Sequence, residues 1–91
     1  MTSQQDSQEK NELKKKSKLI KPLIRVGKKG ITEESIAETR KLLKRKKLVK
    51  IRFLRNFMEK HEIRKAIGLL CEKTGAELID NVGFTAVIYK R

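Results

Sequence analysis

The sequence has few aromatic residues, a single cysteine and a single histidine. Of its 91 residues none is tryptophan, one is tyrosine and three are phenylalanine. Few aromatic rings are therefore available to recognise nucleobases by stacking. Cys71 cannot form an internal disulfide, which is typical of a reducing compartment. His61 has no cysteine or carboxylate partners at metal-ligand spacing. We therefore expect no metal and no cofactor.

Long apolar runs and catalytic motifs are also missing. No segment approaches the roughly 18 apolar residues that a membrane span needs. The polar start, Met1 to Asn11, lacks the apolar core of a signal peptide, so we expect a cytoplasmic protein without membrane association. No Ser-His-Asp or Cys-His set is evident, and neither the P-loop spacing nor the dinucleotide-binding glycine pattern occurs. These absences argue against an enzyme.

Positive charge dominates the sequence. It has 24 lysines and arginines against 11 acidic residues, which gives a net charge of +13. The cations concentrate in residues 10–30 and 40–65, whereas residues 75–88 contain none. Such a surface attracts polyanions, of which nucleic acid is the commonest and anionic lipid or an acidic protein come next. Charge alone does not separate these partners, nor DNA from RNA.

Hydrophobic periodicity predicts one domain over residues 9–91, after a Ser/Gln-rich segment 1–8 that we expect to be disordered. Arg55–Met58 is predicted to be a loop. The predicted elements are a helix Glu9–Lys21, a strand Leu23–Val26, a helix capped by Thr32 and closing on Lys44–Lys47, a strand Leu48–Leu54, a helix Glu59–Thr74 and two strands, Glu77–Val82 and Thr85–Tyr89.

Local signals mark the ends of these helices. Pro22 ends the first helix, because the residue before proline is pushed out of the α region. Thr32 is a suitable N-cap and Gly75 a suitable C-terminal cap. The α-β-α-β-α-β-β order predicts a two-layer α/β domain with a mixed four-stranded sheet, in which a parallel strand–helix–strand unit is followed by an antiparallel hairpin.

The motif Gly27-Lys28-Lys29-Gly30 lies between a predicted strand and a helix N-terminus. Glycines let the backbone approach a ligand closely, and the start of a helix favours an anion. Two lysines add mobile charge at the same place. The parts suit a phosphate clamp, although a strand-to-helix turn also uses glycine for conformational reasons alone.

Four blocks of the sequence form a recognisable pattern: "LIKPLIRVGKKGITE" at 19–33, Leu48 to Ile51, Thr74 to Ala76, and "GFTAVIYKR" at 83–91. Together they resemble the CRM domain, the YhbY-like family of small RNA-binding proteins. The blocks occur in the family's order over about residues 11–91. The resemblance implies a fold similar to the C-terminal domain of translation initiation factor three. It also implies a G-x-x-G loop at Gly27–Gly30, similar to the one with which KH domains clamp nucleic-acid backbone.

The resemblance implies binding to structured RNA, in particular ribosomal RNA precursors, and a role in ribosome assembly or RNA maturation. We expect a monomer when free. Two alternatives remain open: a protein-interaction adaptor on ribonucleoprotein particles, and a binder of double-stranded DNA. Beside the loop, the candidate RNA-binding residues are the cations Lys14, Lys15, Lys18, Arg40, Lys41, Lys44, Arg45, Lys47, Lys50 and Arg52.

Four side chains have two interpretations each. Tyr89 and Phe57 are either stacking platforms for bases or structural residues of the sheet and core. Lys50 and Arg52 form either a basic sheet face or ordinary solvent-facing strand positions. Cys71 is expected to be a small buried hydrophobic residue.

Overall fold

The computed structural model describes residues 2–90, with side chains from residue 10 onwards, and this range contains four helices and four strands. They are α1 (Thr2–Ser17), β1 (Ile24–Val26), α2 (Glu33–Lys46), β2 (Leu48–Phe53), α3 (Arg55–Met58), α4 (Ile63–Thr74), β3 (Glu77–Val82) and β4 (Thr85–Tyr89).

The strands form one mixed sheet in the order β1-β2-β4-β3. β1 and β2 are parallel and are joined through α2, whereas β2/β4 and β3/β4 are antiparallel. The predicted fold class is therefore confirmed. A register shift between Leu78 and Asp80 marks a bulge in the outer strand β3.

The main core lies between one face of the sheet and the helices α2 and α4. Val49, Ile51 and Phe53 of β2 are at most 1% exposed, as their alternation predicts. Other members of this cluster come from all layers: Ile24, Val26, Leu43, Phe57, Ala66, Ile67, Leu70, Ala86 and Ile88. Thr39 is buried on the inner side of α2 and donates its hydroxyl to the carbonyl of Ser35, so its polar atom is satisfied.

The helix α1 lies against β2 and β3. Lys50 projects from the face of β2 opposite the main core, and its ammonium donates to the carbonyls of Ser17 (3.2 Å) and Ile20 (3.4 Å). α1 therefore covers part of this second face. Val87 and Ile79 are buried outside the main core cluster, and Val87 is the cross-strand partner of Lys50.

The bounds of α1 differ from the prediction at both ends. The helix begins at Thr2 instead of Glu9, because no glycine or proline interrupts the first residues and the helix can propagate through them. It ends at Ser17 instead of Lys21, where the Lys50 ammonium meets carbonyls left without helical partners. The division into a disordered segment and one domain stays a prediction.

The segment after β2 was predicted wrongly as a loop. Arg55–Met58 forms the short helix α3, because Phe57 turns inward to become fully buried, with its ring 4.9 Å from that of Phe53. The next helix begins at Ile63 rather than Glu59. The intervening residues turn back, with the His61 amide donating to the Phe57 carbonyl at 2.9 Å.

Three helix ends are well defined. Thr32 caps α2 by accepting the Ser35 amide at 3.1 Å, and Gly75 ends α4 in the left-handed conformation, both as predicted. Lys47 is the C-cap of α2, and its φ of 63° is the one positive φ of a non-glycine residue in the described part of the chain. A side chain at such a backbone angle is strained.

Candidate nucleic-acid interface

The Gly27–Gly30 loop forms a tight turn at the end of β1. The amide of Gly30 donates to the Gly27 carbonyl at 2.9 Å, and Gly30 has a φ of +73°. Lys28 and Lys29 are exposed, and their amides have no hydrogen-bond partner among the residues that the structure describes. Two free N–H groups and two ammonium groups at one turn form a suitable environment for a phosphate oxygen.

The N-terminus of α2 contributes less to this site than the sequence suggests. Its Ser35 amide is already bound by the Thr32 hydroxyl, and Glu33 and Glu34 occupy the first turn. These carboxylates neutralise the positive end of the helix dipole. The attraction for an anion therefore comes from the loop's own amides and lysines.

His61 supports the loop from behind, a role that the sequence did not indicate. Its Nε2 lies 2.9 Å from the Lys28 carbonyl, and its ring stacks on Phe57 with centroids 5.1 Å apart. A Cβ on Gly30 would come within 3.1 Å of the His61 ring, and one on Gly27 would meet Asn56 at 3.4 Å. His61 and Lys28 are 33 residues apart in the sequence, and no local pattern predicts their contact.

The cations fall into three groups, of which the first surrounds the loop. Lys60 and Lys65 line a pocket beside Lys29, although neither was among the predicted residues. Their contribution was visible only as the excess of basic residues in 40–65. We call the Gly27–Gly30 loop with Lys60 and Lys65 the loop end.

The second group lies at the other end of α2. The loop follows the end of β1. Since β1 and β2 are parallel, the start of β2 and the residues before it lie at the opposite end of the strands from the loop. There Arg40, Lys44, Lys47 and the unpredicted Lys90 line a pocket of about 360 Å³. We call these four residues the far end. The Arg40 guanidinium is partly committed, because its Nε donates to the Lys73 carbonyl at 3.2 Å.

The third group lies on the second face of the sheet. Arg25 and Arg52 are neighbours in the β1–β2 register and both are exposed. Arg25 alternates with the buried Ile24 and Val26, a signal from which it could have been predicted. Lys50 is different, because it is half-buried and its ammonium is bound to the end of α1. Its position favours a structural role over direct contact with a ligand.

The remaining predicted cations are exposed on or next to the two long helices. Lys14 and Lys15 lie on α1, Lys18 follows directly after its end, and Lys41 and Arg45 lie on α2. Lys18 also borders a cavity on the second face with Lys50. The predicted residues thus occupy two ends and one face of the domain rather than a single patch.

The uncertain side chains are placed as follows. Phe57 is a core residue, and Tyr89 is half-buried in a groove with Leu13 and Leu48. Cys71 is half-buried, and burial, with a smaller effect of Glu77, raises the pKa of its thiol. A protonated thiol is a weak nucleophile.

Within residues 2–90 no helix is both long and apolar enough to cross a bilayer. In the same part of the chain no three histidine, cysteine or acidic side chains cluster as metal ligands would.

Comparison with known proteins identifies the family. The model of the CRS1 / YhbY (CRM) domain matches residues 6–90 of the chain. The chain belongs to the CRM domain family. The Gly27–Gly30 turn is thus part of a CRM domain, as the four sequence blocks predict.

Relatives of this CRM domain are found in several bacteria. Probable RNA-binding protein PA4753 of Pseudomonas aeruginosa is 25% identical over 84 residues, which are 92% of this chain and 79% of the relative. Probable RNA-binding protein YqeI of Bacillus subtilis is 29% identical over 83 residues, 90% of this chain and 83% of the relative. Both names describe RNA-binding proteins rather than enzymes.

A solved structure has the same architecture. The solution structure of protein SAV1595 from Staphylococcus aureus superposes with a TM-score of 0.75 at 26% sequence identity. The match covers 90% of this chain and 83% of the other. The CRM fold derived above is therefore shared by an experimentally determined relative.

Proposed function

We propose that this chain binds structured RNA through its basic surface, with the Gly27–Gly30 loop contacting backbone phosphate. The observation that carries the proposal is the loop, where two free amides and two exposed lysines converge on one turn. The names of the two bacterial relatives, both probable RNA-binding proteins, support RNA as the ligand. The net charge of +13 supplies the long-range attraction.

The proposal extends to the way in which RNA is contacted. Exposed aromatic side chains are scarce, since Phe53 and Phe57 are in the core, Tyr89 is half-buried, and Phe84 is the one exposed ring among the four. Backbone and shape recognition therefore suit this surface better than serial base stacking. Lys47, at the far end, lies about 21 Å along α2 from the helix start beside the loop, so a ligand that reaches both must be extended or rigidly folded.

We further propose that the RNA is a ribosomal RNA precursor and that the role is ribosome assembly or RNA maturation in the cytoplasm. Crosslinking in cells followed by sequencing of the bound RNA tests this part. Enrichment of precursor ribosomal RNA is the expected result. Recovery of no RNA above background would overturn the whole function, and recovery of other RNA classes would overturn the assembly role alone.

The loop's role is tested by titrating a structured ribosomal RNA fragment at several salt concentrations. Lys28→Ala/Lys29→Ala should weaken binding and make the salt dependence shallower by roughly one to two units of slope, because each phosphate contact releases counterions. Arg64→Ala/Lys73→Ala is the control, since it removes two exposed cations of α4 that lie outside the three groups. Equal affinity and slope for wild type and the loop variant would refute the role of the loop.

The same titration separates the alternatives. Double-stranded DNA that competes as well as the RNA would indicate a DNA binder. A protein partner that stays bound after nuclease treatment, together with undetectable RNA affinity, would indicate the adaptor. Under the proposed function, double-stranded DNA competes poorly with the RNA, and RNA affinity is readily measured. The far-end variant Lys44→Ala/Lys90→Ala then weakens RNA binding as well.

A further inference from the structure

A pocket beside the loop differs in character from the rest of the basic surface. It has a volume of about 390 Å³. Ile31, Phe57, Ala66 and Leu69 supply its apolar lining. Its charged lining consists of Lys29, Lys60, Glu62 and Lys65, with His61 beside them. An apolar lining with both donors and a carboxylate acceptor suits a flat ligand that has a polar edge.

The pocket is continuous with the loop. Lys29 belongs to both, and His61, which lines the pocket, also holds the Lys28 carbonyl at 2.9 Å. A strand whose phosphate lies on the loop therefore has its neighbouring groups next to the pocket. Leu69, 40% exposed on α4, leaves apolar surface uncovered at this place.

We propose that this pocket receives an unpaired nucleobase of the RNA strand whose phosphate the loop holds. The inference rests on the proposed function and deepens it. A base has apolar faces that would lie against Ile31 and Leu69. Its edge carries acceptors for the lysine ammonium groups and N–H donors for the Glu62 carboxylate.

The polar groups of the pocket are available for such contacts. Glu62 and Lys65 form a pair at 3.7 Å whose side chains are 71% and 84% exposed. An ion pair so exposed is weak, and a base edge can replace it. The residues that line the far-end pocket include four cations and no carboxylate, so this pocket offers donors for a phosphate but no carboxylate acceptor for the N–H groups of a base edge.

The probe is an RNA hairpin with one bulged nucleotide, compared with the same hairpin in which the bulge is an abasic ribose. The phosphate count is equal in the two, so their affinity ratio measures the base. For the wild-type chain the abasic hairpin should bind about five-fold to a hundred-fold more weakly, because it lacks both the apolar contact with Ile31 and Leu69 and the hydrogen bonds of the base edge. Leu69→Ser should bring the ratio close to one.

Leu78→Ser is the matched control. Leu78 is a leucine of nearly equal exposure, 37%, but it lies on the outer strand β3 outside this pocket. This variant should keep the wild-type ratio. Thermal unfolding of both variants establishes that each is folded at the temperature of the titration.

The outcomes separate the two levels of the proposal. If the ratio is one for wild type, or is unchanged by Leu69→Ser, the base pocket is refuted. If Lys28→Ala/Lys29→Ala still weakens both hairpins in that case, the proposed function stands without the pocket. If the loop variant binds both hairpins as tightly as wild type does, the proposed role of the loop is refuted, and with it the pocket proposal that rests on the loop.

Discussion

Replacing Lys47 by glycine should stabilise the fold and weaken RNA binding at the same time. Lys47 ends α2 with φ 63° and ψ −33°, and its amide donates to the Leu43 carbonyl at 2.8 Å. Glycine adopts positive φ without steric penalty, whereas an L-residue there costs about 1–2 kcal/mol. The greater freedom of glycine in the unfolded chain offsets roughly 0.5–1 kcal/mol of this.

The net gain in the free energy of unfolding is therefore about 0–1.5 kcal/mol, with a midpoint of about 0.75 kcal/mol. For a domain of this size the midpoint corresponds to a rise in Tm of roughly 3–6 °C. The side chain of Lys47 belongs to the far end, so its loss removes one candidate phosphate contact. The slope of log affinity against log salt should fall by about 0.7–0.9.

Two variants separate the backbone from the charge. Lys47→Ala removes the charge but keeps a side chain at positive φ, so it should weaken binding without raising Tm. Lys46→Gly removes the neighbouring charge inside the helix, where glycine costs up to about 1 kcal/mol, and should lower Tm. A lower Tm for Lys47→Gly would refute the strain at this residue. Unchanged RNA affinity would refute its membership of the interface.

Three further predictions concern stability and reactivity. Gly30→Ala should destabilise the chain by more than about 1 kcal/mol, because Gly30 has a positive φ and the His61 ring lies next to it. Gly68→Ala, in open space within α4, should stabilise the chain by up to about 1 kcal/mol. Urea unfolding measures both changes, and equal effects would contradict the reasoning. Lys50→Met should release the end of α1 and cost roughly 1–3 kcal/mol, seen as faster amide exchange in α1, whereas Lys41→Met should not. Because the pKa of Cys71 is raised, its thiolate forms at more alkaline pH in the folded chain than in the unfolded chain, and the free energy of unfolding should fall as pH rises towards the folded-state pKa. Alkylation of the native protein should therefore be slow near neutral pH and faster after unfolding. Equal alkylation rates for native and unfolded chains would exclude the effect.

Elements with strong local signals were predictable. Alternation in Leu48–Leu54, the Thr32 cap and the Gly75 cap each depend on neighbouring residues, and the structure confirms all three. The two last strands have their predicted bounds. Errors occurred where tertiary contacts decide. Burial of Phe57 forms α3, and the Lys50 ammonium meets the end of α1, neither of which a local pattern contains.

The same division applies to the candidate site. The Gly27–Gly30 loop was recognisable because its glycines and lysines are consecutive. His61 was not, because its role depends on a contact with Lys28 across the fold. Lys60, Lys65 and Lys90 were part of a general charge excess until the fold placed them beside pockets. Lys50 shows the reverse error, since a charge that seemed available is bound to the protein's own backbone.

The two sides of the sheet have a consequence for association between copies. β1 has only three residues, and β3 carries a bulge together with Glu77 and Asp80. Short or bulged edge strands with charged side chains resist pairing with another strand. Extension of the sheet by a second molecule is therefore disfavoured at both edges. The cations are concentrated at the loop end, at the far end and on the second face of the sheet. A polyanion can bind there without pairing with an edge strand, so its binding does not compete with association between copies of the chain.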